Sequence, residues 1–159
     1  MPIRRHHVFA ALTAAVAEEL RAMEAIRNDT VHEATDADNR AENKYDTRSL
    51  EASYLAAGQA ERVVALRQQR DLLVALSERE APPRMGMGGV AHLVRDGVEA
   101  WWVLLPSGGG VRAALADGEA RIVTPQSPAG RALLGAEEGD DVSFSAAGRP
   151  VTWELVAVL

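Results

Sequence analysis

The feature that most constrains this fold is a long stretch almost free of residues that break helices. Residues 8 to about 80 contain no proline and a single glycine, Gly58. Alanine, leucine, glutamate and arginine dominate the stretch, and all four are strong helix formers. The first half of the chain is therefore predicted to be helical.

Apolar residues recur along this stretch at spacings of three to five, which indicates amphipathic helices. The first set is Phe9, Leu12, Val16, Leu20, Met23, Ile26 and Val31. The second set is Leu50, Leu55, Val63, Leu66, Leu73 and Leu76, with Ala52, Ala56 and Ala60 between them. A single apolar stripe cannot bury itself, so we expect two antiparallel helices joined near residues 36–46. A first helix of roughly 26 residues would be about 39 Å long.

The pattern changes after Ala81-Pro82-Pro83, because proline lacks the amide proton that a helix needs. We expect a helical hairpin over residues 1–80, a linker over 81–85 and a second domain over 86–159. In the second domain the apolar period becomes two, which is typical of strands. Strands are predicted at 92–94, 100–105, 121–123, 142–145 and 151–156, giving a small antiparallel sheet.

Short sequence motifs predict the turns and one short helix in this domain. Asp96-Gly97 and the region of Gly148 are hairpin turns, and residues 106–110 are a loop. Ser127 followed by Pro128 begins a helix as an N-cap and first-turn proline, and Gly135 ends it. The architecture is therefore α+β. Strand alternation sends Trp101 and Trp102 to opposite faces, so we expect one in the core and one exposed for a partner.

Charge and cysteine content exclude several classes of function. The 159 residues carry 17 Lys and Arg against 23 Asp and Glu, a formal charge of −6, so no global positive field exists for binding nucleic acid. Cysteine is absent, which excludes disulfide scaffolds, thiolate zinc sites and cysteine nucleophiles. No apolar run is long enough for a membrane span, and Glu18, Glu19 and Arg21 interrupt any signal-peptide core. We expect a cytoplasmic protein.

The expected turn between the helices is rich in acids. Asp38, Glu42 and Asp46 lie four residues apart, so a helical segment would present neighbouring acids on one face. Carboxylates in this arrangement suit Mg²⁺, although two of them without a third rigid ligand would hold it weakly and a partner would have to complete the site. The alternative is that the turn is polar simply because it is solvated. The four histidines lack metal-ligand spacing, and the glycine-rich loops lack a phosphate-loop lysine.

Two segments resemble Gre-type transcription elongation factors. Residues 127–142, SPAGRALLGAEEGDDV, resemble the signature of the family's C-terminal domain. Residues 42–48, ENKYDTR, and the following 51–54 resemble its acidic hairpin tip. The order of a long hairpin, a proline linker and a small sheet with a Ser-Pro helix also matches the family plan. The resemblance implies an antiparallel coiled-coil hairpin followed by an FKBP-like domain.

The resemblance also implies a mechanism. Gre-type factors bind bacterial RNA polymerase through the globular domain and insert the hairpin into its secondary channel. The tip acids there help to hold a catalytic Mg²⁺ of the polymerase, which then cleaves the 3′ end of a backtracked RNA. A factor of this kind is not itself an enzyme, has no cofactor of its own, acts as a monomer and touches the RNA end only indirectly.

Residue by residue, the resemblance assigns the tip acid to Glu42 and a second acid to Asp38, which would share Mg²⁺ with the polymerase. Supporting tip residues are Asn43, Tyr45, Asp46, Arg40, Lys44 and Arg48. Polymerase-binding residues in the C-terminal domain are Ser127, Pro128, Gly130 and Arg131. The family tip commonly reads Asp-x-x-Glu-Asn-x-x-Tyr, whereas here Asn39 stands three before Glu42 and Tyr45 comes one residue early.

This shifted register leaves other functions open. Related polymerase-channel proteins with altered tips inhibit or modulate transcription, and this chain is a candidate for that group. An FKBP-like domain also suggests a prolyl isomerase or chaperone, although an isomerase pocket is built from clustered aromatics and only 4% of this chain is aromatic. A plain coiled-coil interaction module without a polymerase role is the third class.

Overall fold

A computed structural model describes residues 1–38 and 47–159. Two long helices come first: α1 is Arg5–Asp38 and α2 is Thr47–Ser77. At 1.5 Å per residue they are about 51 and 46 Å long. The first helix is longer than expected, since it continues through Asn28–Thr30 and through Thr35–Asp38, whose cap-forming residues favour a turn. None of the described helices is both long and apolar enough to span a membrane.

Contacts divide the chain into two compact units, residues 16–70 and residues 1–15 with 71–159. In the first unit, Val16 and Leu20 of α1 and Val63 and Leu66 of α2 are buried. Ion pairs join α1 to α2: Arg62 pairs with Glu19, and Arg67 pairs with Glu24 at 2.6 Å. The predicted helical hairpin is confirmed. The predicted division at residues 81–85 stays a prediction.

Packing within the unit 16–70 weakens toward the ends of the helices that adjoin residues 39–46. None of the described side chains is buried between Arg21 and Asp38, or between Thr47 and Arg62. Ile26, Val31, Leu50 and Leu55 of the predicted apolar stripes are about half exposed. The described partly buried positions here include one large apolar residue, Met23, and the small Ala52, Ala56 and Ala60. These parts of α1 and α2 therefore gain little stability from burial.

We expect this gradient to appear in amide hydrogen exchange, because local opening is easiest where little apolar surface is buried. Amides of residues 22–29 and 50–60 are expected to exchange at least about tenfold faster than those of 16–20 and 63–70. Exchange measured residue by residue by NMR on the whole chain tests this. Uniform protection along both helices would contradict the packing gradient.

In the other unit, the start of α1 and the end of α2 contribute buried apolar side chains. Val8, Phe9, Leu12, Leu73 and Leu76 are buried. Arg5 connects the two helix ends with the last residue of the chain. Its guanidinium donates hydrogen bonds to the carbonyl oxygen of Leu76 at 3.0 Å and to that of Leu159 at 2.7 Å. The same group lies 4.6 Å from the centre of the Phe9 ring. Burial lowers the pKa of Arg5, although an arginine remains charged at physiological pH.

The rest of this unit is a six-stranded sheet with one short helix. The strands are β1 Val90–Arg95, β2 Val98–Leu104, β3 Arg112–Leu115, β4 Gly118–Val123, β5 Asp141–Ala146 and β6 Arg149–Val158, and α3 is Pro128–Leu133. The spatial order is β3-β4-β2-β1-β6-β5. The predicted α+β architecture is confirmed. The expectation of a purely antiparallel sheet is wrong, because β2 and β4 are parallel.

One face of the sheet carries the main core against α3. Leu93, Trp102, Leu104 and Leu155 contribute from the strands, and Leu133 from α3. Trp101 points to the other face, yet it is as buried as Trp102, at 2% and 3% exposed. It stacks on His92 at 4.8 Å between ring centres. The expectation that one of the two tryptophans is exposed is wrong, because both faces of the central strand β2 are covered.

Candidate functional site beside the Ser-Pro helix

The two groups of predicted site residues are described to different extents. Asp38 is the last residue of α1. Glu42 and the supporting residues Asn43, Tyr45, Asp46, Arg40 and Lys44 lie outside the described residues, and Arg48 lies in the first turn of α2. Among residues 1–38 and 47–159, no cluster of three acidic or histidine side chains is placed to hold a metal ion. The geometry described below is therefore that of the second group, which lies in the C-terminal domain.

The predicted Ser-Pro helix forms as its sequence indicates. The Ser127 hydroxyl oxygen accepts a hydrogen bond from the amide of Gly130 at 3.0 Å and donates to the carbonyl of Thr124 at 2.8 Å. Pro128 occupies the first turn, and Gly135 follows the helix with a φ of +83°. Since the single hydroxyl proton of Ser127 is already donated, Ser127 fixes the helix start and has no proton left for a partner.

Gly130 lets α3 lie directly against the segment that follows β4. A Cβ at this position would stand 1.9 Å from the carbonyl oxygen of Thr124 and 2.5 Å from its carbonyl carbon. No side chain fits there, so the glycine of the Ser-Pro motif has a packing role. Arg131 is exposed and donates to the carbonyl of Gln126 at 2.6 Å. Of the four predicted contact residues, Pro128 alone is both exposed and part of the cleft described next.

An open cleft of about 400 Å³ lies beside the start of α3. Its walls come from the loop before β3, from β3, from β4 and the turn after it, from α3 and from β5. The lining residues are Gly109, Gly110, Arg112, Arg121, Ile122, Val123, Thr124, Ser127, Pro128, Ala129, Phe144 and Ser145. Strands β3 and β5 are opposite edges of the sheet. Because both line one cleft, the sheet curves around α3.

Two arginines, which sequence analysis missed, form the polar wall of this cleft. Arg112 on β3 is paired in register with Arg121 on β4. The Arg121 guanidinium lies 5.3 Å from the ring centre of Trp102, an arrangement in which cation–π attraction fixes its plane. One oxygen of Glu119 is 3.6 Å from Arg112 and 3.5 Å from Arg121. Both contacts are long for charge-assisted hydrogen bonds.

The rest of the lining includes an apolar part. Phe144 is half-buried and packs edge-on against Trp102 at 5.6 Å between ring centres, and Pro128 is exposed at the start of α3. Among the described lining residues Phe144 is the only aromatic one. The cleft thus offers positive charge beside a modest apolar surface, which suits a protein segment better than a bare ion.

The family model described as "Transcription elongation factor, GreA/GreB, C-term" matches residues 111–159. This part of the chain is similar to the C-terminal domain of Gre-type factors. The resemblance drawn from residues 127–142 is confirmed for this part of the chain, because those residues lie inside the matched segment. Apart from Gly109 and Gly110, every described residue lining the cleft lies inside the matched segment.

Solved structures with some likeness to the whole chain include two Gfh1 proteins. GreA factor homolog 1 (Gfh1) of Thermus thermophilus is 19% identical, with 94% of this chain and 95% of that chain covered and a TM-score of 0.39. Thermus aquaticus Gfh1 is 20% identical, with 94% of each chain covered and a TM-score of 0.36. Comparison with curated protein sequences finds no match. The similarity to Gre-type factors rests on the family model over residues 111–159, because the overall structural similarity is weak.

The cap of α3 makes a testable prediction about Ser127. Ser127→Ala is expected to lower the free energy of unfolding by about 1 kcal/mol, since it removes the N-cap acceptor of the Gly130 amide. Ser127→Thr keeps the hydroxyl and is expected to stay within about 0.5 kcal/mol of the wild type. Urea unfolding followed by tryptophan fluorescence measures both. Unchanged stability of Ser127→Ala would contradict the capping role.

Proposed function

We propose that this protein binds RNA polymerase through the face of its Gre-type C-terminal domain that contains the cleft, and that its hairpin acts at the polymerase active centre. The observation that carries the proposal is the family match over residues 111–159, which includes nearly the whole cleft lining. An exposed Pro128 beside an apolar and positively charged cleft is a surface suited to another protein.

The helical half supports the second part of the proposal. Helices of 34 and 31 residues provide a reach of about 50 Å, enough to carry side chains into a recessed site. Asp38 and Glu42 are proposed to contribute carboxylate ligands to an Mg²⁺ ion bound by the polymerase. In such a site a metal ion stabilises the attacking and leaving oxygens of a phosphoryl displacement. The protein would then stimulate RNA cleavage by the polymerase and would not be an enzyme alone.

The alternative within the same family is a factor that binds the polymerase and inhibits or modulates it. The shifted tip, with Asn39 three residues before Glu42 and Tyr45 one residue early, favours this alternative. Both functions require polymerase binding, and they differ in whether RNA is cleaved. A prolyl isomerase is less well supported, because the described cleft lining has one aromatic residue.

A stalled, backtracked elongation complex with labelled RNA tests the proposal. Adding the protein is expected to release short 3′ fragments, and the protein is expected to remain bound to the polymerase on gel filtration. Binding with slowed elongation and no cleavage would overturn cleavage stimulation and support the inhibitory alternative. Absence of binding would overturn both and leave a plain interaction module.

A further inference from the structure

We propose that Arg112 and Arg121 form a receptor for a carboxylate side chain of the partner, so that the cleft selects an acidic protein segment with apolar flanks. This inference rests on the proposed function and specifies the chemistry that the C-terminal domain recognises. The two arginines are neighbours across β3 and β4, and both line the cleft. Neither belongs to the motif, residues 127–142, on which the family resemblance was drawn.

The charges around the cleft are incompletely balanced. Glu119 is the acidic partner of both arginines, and it approaches them with one oxygen at 3.5 and 3.6 Å. No acidic side chain is found among the described residues that line the cleft itself. The Nε of Arg121 is buried and has no hydrogen-bond partner within the described part of the chain. One carboxylate shared by two guanidinium groups leaves several N–H donors for a second carboxylate.

The orientation of Arg121 favours a carboxylate that makes two hydrogen bonds. Its guanidinium is held against the Trp102 ring, and its side chain is 29% exposed, so little side-chain freedom is lost on binding. A planar guanidinium forms paired hydrogen bonds to a carboxylate, which gives geometric selectivity as well as affinity. The Arg112 side chain is more exposed, at 56%. It lies on β3, an edge strand of the sheet, and is therefore accessible to a partner.

The apolar part of the cleft distinguishes a peptide from a nucleic acid. Phe144 and Pro128 lie in the same lining as the arginines. A phosphate of RNA or DNA would use the arginines and gain nothing from these side chains, and the chain as a whole carries a charge of −6 that repels nucleic acid. An acidic residue flanked by apolar residues would pair with the arginines and also pack against the apolar side chains of the cleft.

The first test measures polymerase affinity by biolayer interferometry for Arg112→Gln, Arg121→Gln and Arg84→Gln. Arg84 is an exposed arginine outside the cleft lining and serves as the charge-matched control. We expect Kd to rise about tenfold for each cleft variant, since a hydrogen bond to a charged group is lost, and to stay within about twofold for the control. Equal weakening by all three variants would overturn the receptor and indicate general electrostatics.

If Arg121→Gln disturbs folding through its contact with Trp102, Arg112→Gln on the exposed edge strand still decides the question. Wild-type affinity in a folded Arg112→Gln variant would overturn the proposal while leaving the proposed function intact, because polymerase binding itself would persist. Arg121→Lys keeps the charge and loses the paired geometry. We expect it to bind more weakly than the wild type and more tightly than Arg121→Gln.

A second test does not need the polymerase and so separates failure of this inference from failure of the proposed function. The ¹⁵N-labelled full chain is titrated with the peptide acetyl-Leu-Glu-Leu-Glu-amide, with acetyl-Leu-Gln-Leu-Gln-amide and with inorganic phosphate. Saturable shifts at Arg112, Arg121 and Phe144 are expected with the acidic peptide alone. Equal shifts with the neutral peptide, or stronger binding of phosphate, would overturn the assignment of a carboxylate receptor.

Discussion

Gly130→Ala is expected to destabilise the C-terminal domain more than other single-methyl additions in this chain. The added Cβ would lie 1.9 Å from the carbonyl oxygen of Thr124, a backbone atom that cannot move aside as a flexible side chain could. Accommodating it requires α3 to shift away from the turn after β4. Overpacking of this kind costs about 3 kcal/mol, a large fraction of the stability of a small domain.

The matched control for this prediction is Gly58→Ala. Gly58 lies in α2, and a Cβ there would meet nothing within 4 Å. Alanine is favoured over glycine inside a helix by about 1 kcal/mol, so Gly58→Ala is expected to leave stability unchanged or to raise it. Urea unfolding monitored at the tryptophans, all of which lie in strands of the sheet, measures the first effect, and circular dichroism at the helical signal measures the second. A Gly130→Ala variant as stable as the wild type would contradict the close packing of α3.

Glu42→Ala is expected to abolish stimulated RNA cleavage while leaving polymerase affinity unchanged. Removing a group that stabilises charge in a transition state commonly costs on the order of 10²-fold in rate. The tip carboxylate is proposed to act in this way on a metal ion that the polymerase holds. The measurement is the rate of 3′ fragment release from a backtracked complex at saturating protein.

Two controls make the Glu42 result specific. Glu61→Ala removes an exposed carboxylate from α2 away from the tip and is expected to cleave like the wild type. Asp38→Ala is expected to have a smaller effect than Glu42→Ala, because Asp38 is proposed as the second acid of the tip. Loss of polymerase binding by Glu42→Ala would contradict a role confined to the chemistry, since it would place Glu42 in the binding surface.

The elements that sequence analysis predicted correctly are those determined by local signals. Two turns have positive φ angles at both central residues: 51° at Asp96 and 78° at Gly97, and 51° at Ala147 and 75° at Gly148. Each turn joins two paired antiparallel strands. The cap at Ser127 and the glycine after α3 are equally local. Turn and cap chemistry depends on a few adjacent residues, so it can be inferred from a single sequence.

The features that escaped prediction depend on distant contacts. Strand β3 was not predicted, because its residues Ala113 and Ala114 have little strand propensity and gain their conformation from pairing with β4. The parallel pairing of β2 with β4 has no turn signal, since parallel neighbours are joined by a longer connection. Missing β3 also meant missing the cleft, because Arg112 and Arg121 become neighbours only through that pairing.

The predicted contact residues show the same limit. The motif around Ser127 and Gly130 was identified by resemblance and interpreted as a binding surface. In the structure Ser127 caps α3 and Gly130 permits a close approach, so both build the wall that presents Pro128. A family motif thus identifies a region of the surface. The structure is needed to tell which residues of the motif shape that surface and which are exposed to a partner.

The most direct test of the account places a reactive probe at the hairpin tip. The chain contains no cysteine, so Glu42→Cys introduces a unique site for an iron chelate that releases hydroxyl radicals. In a complex with RNA polymerase stalled in the backtracked state, we predict cuts in the polymerase chain around its catalytic centre and at the 3′ end of the RNA. Cuts confined to the outer surface of the polymerase, or none in a complex shown to contain the protein, would contradict delivery of the tip to the active centre.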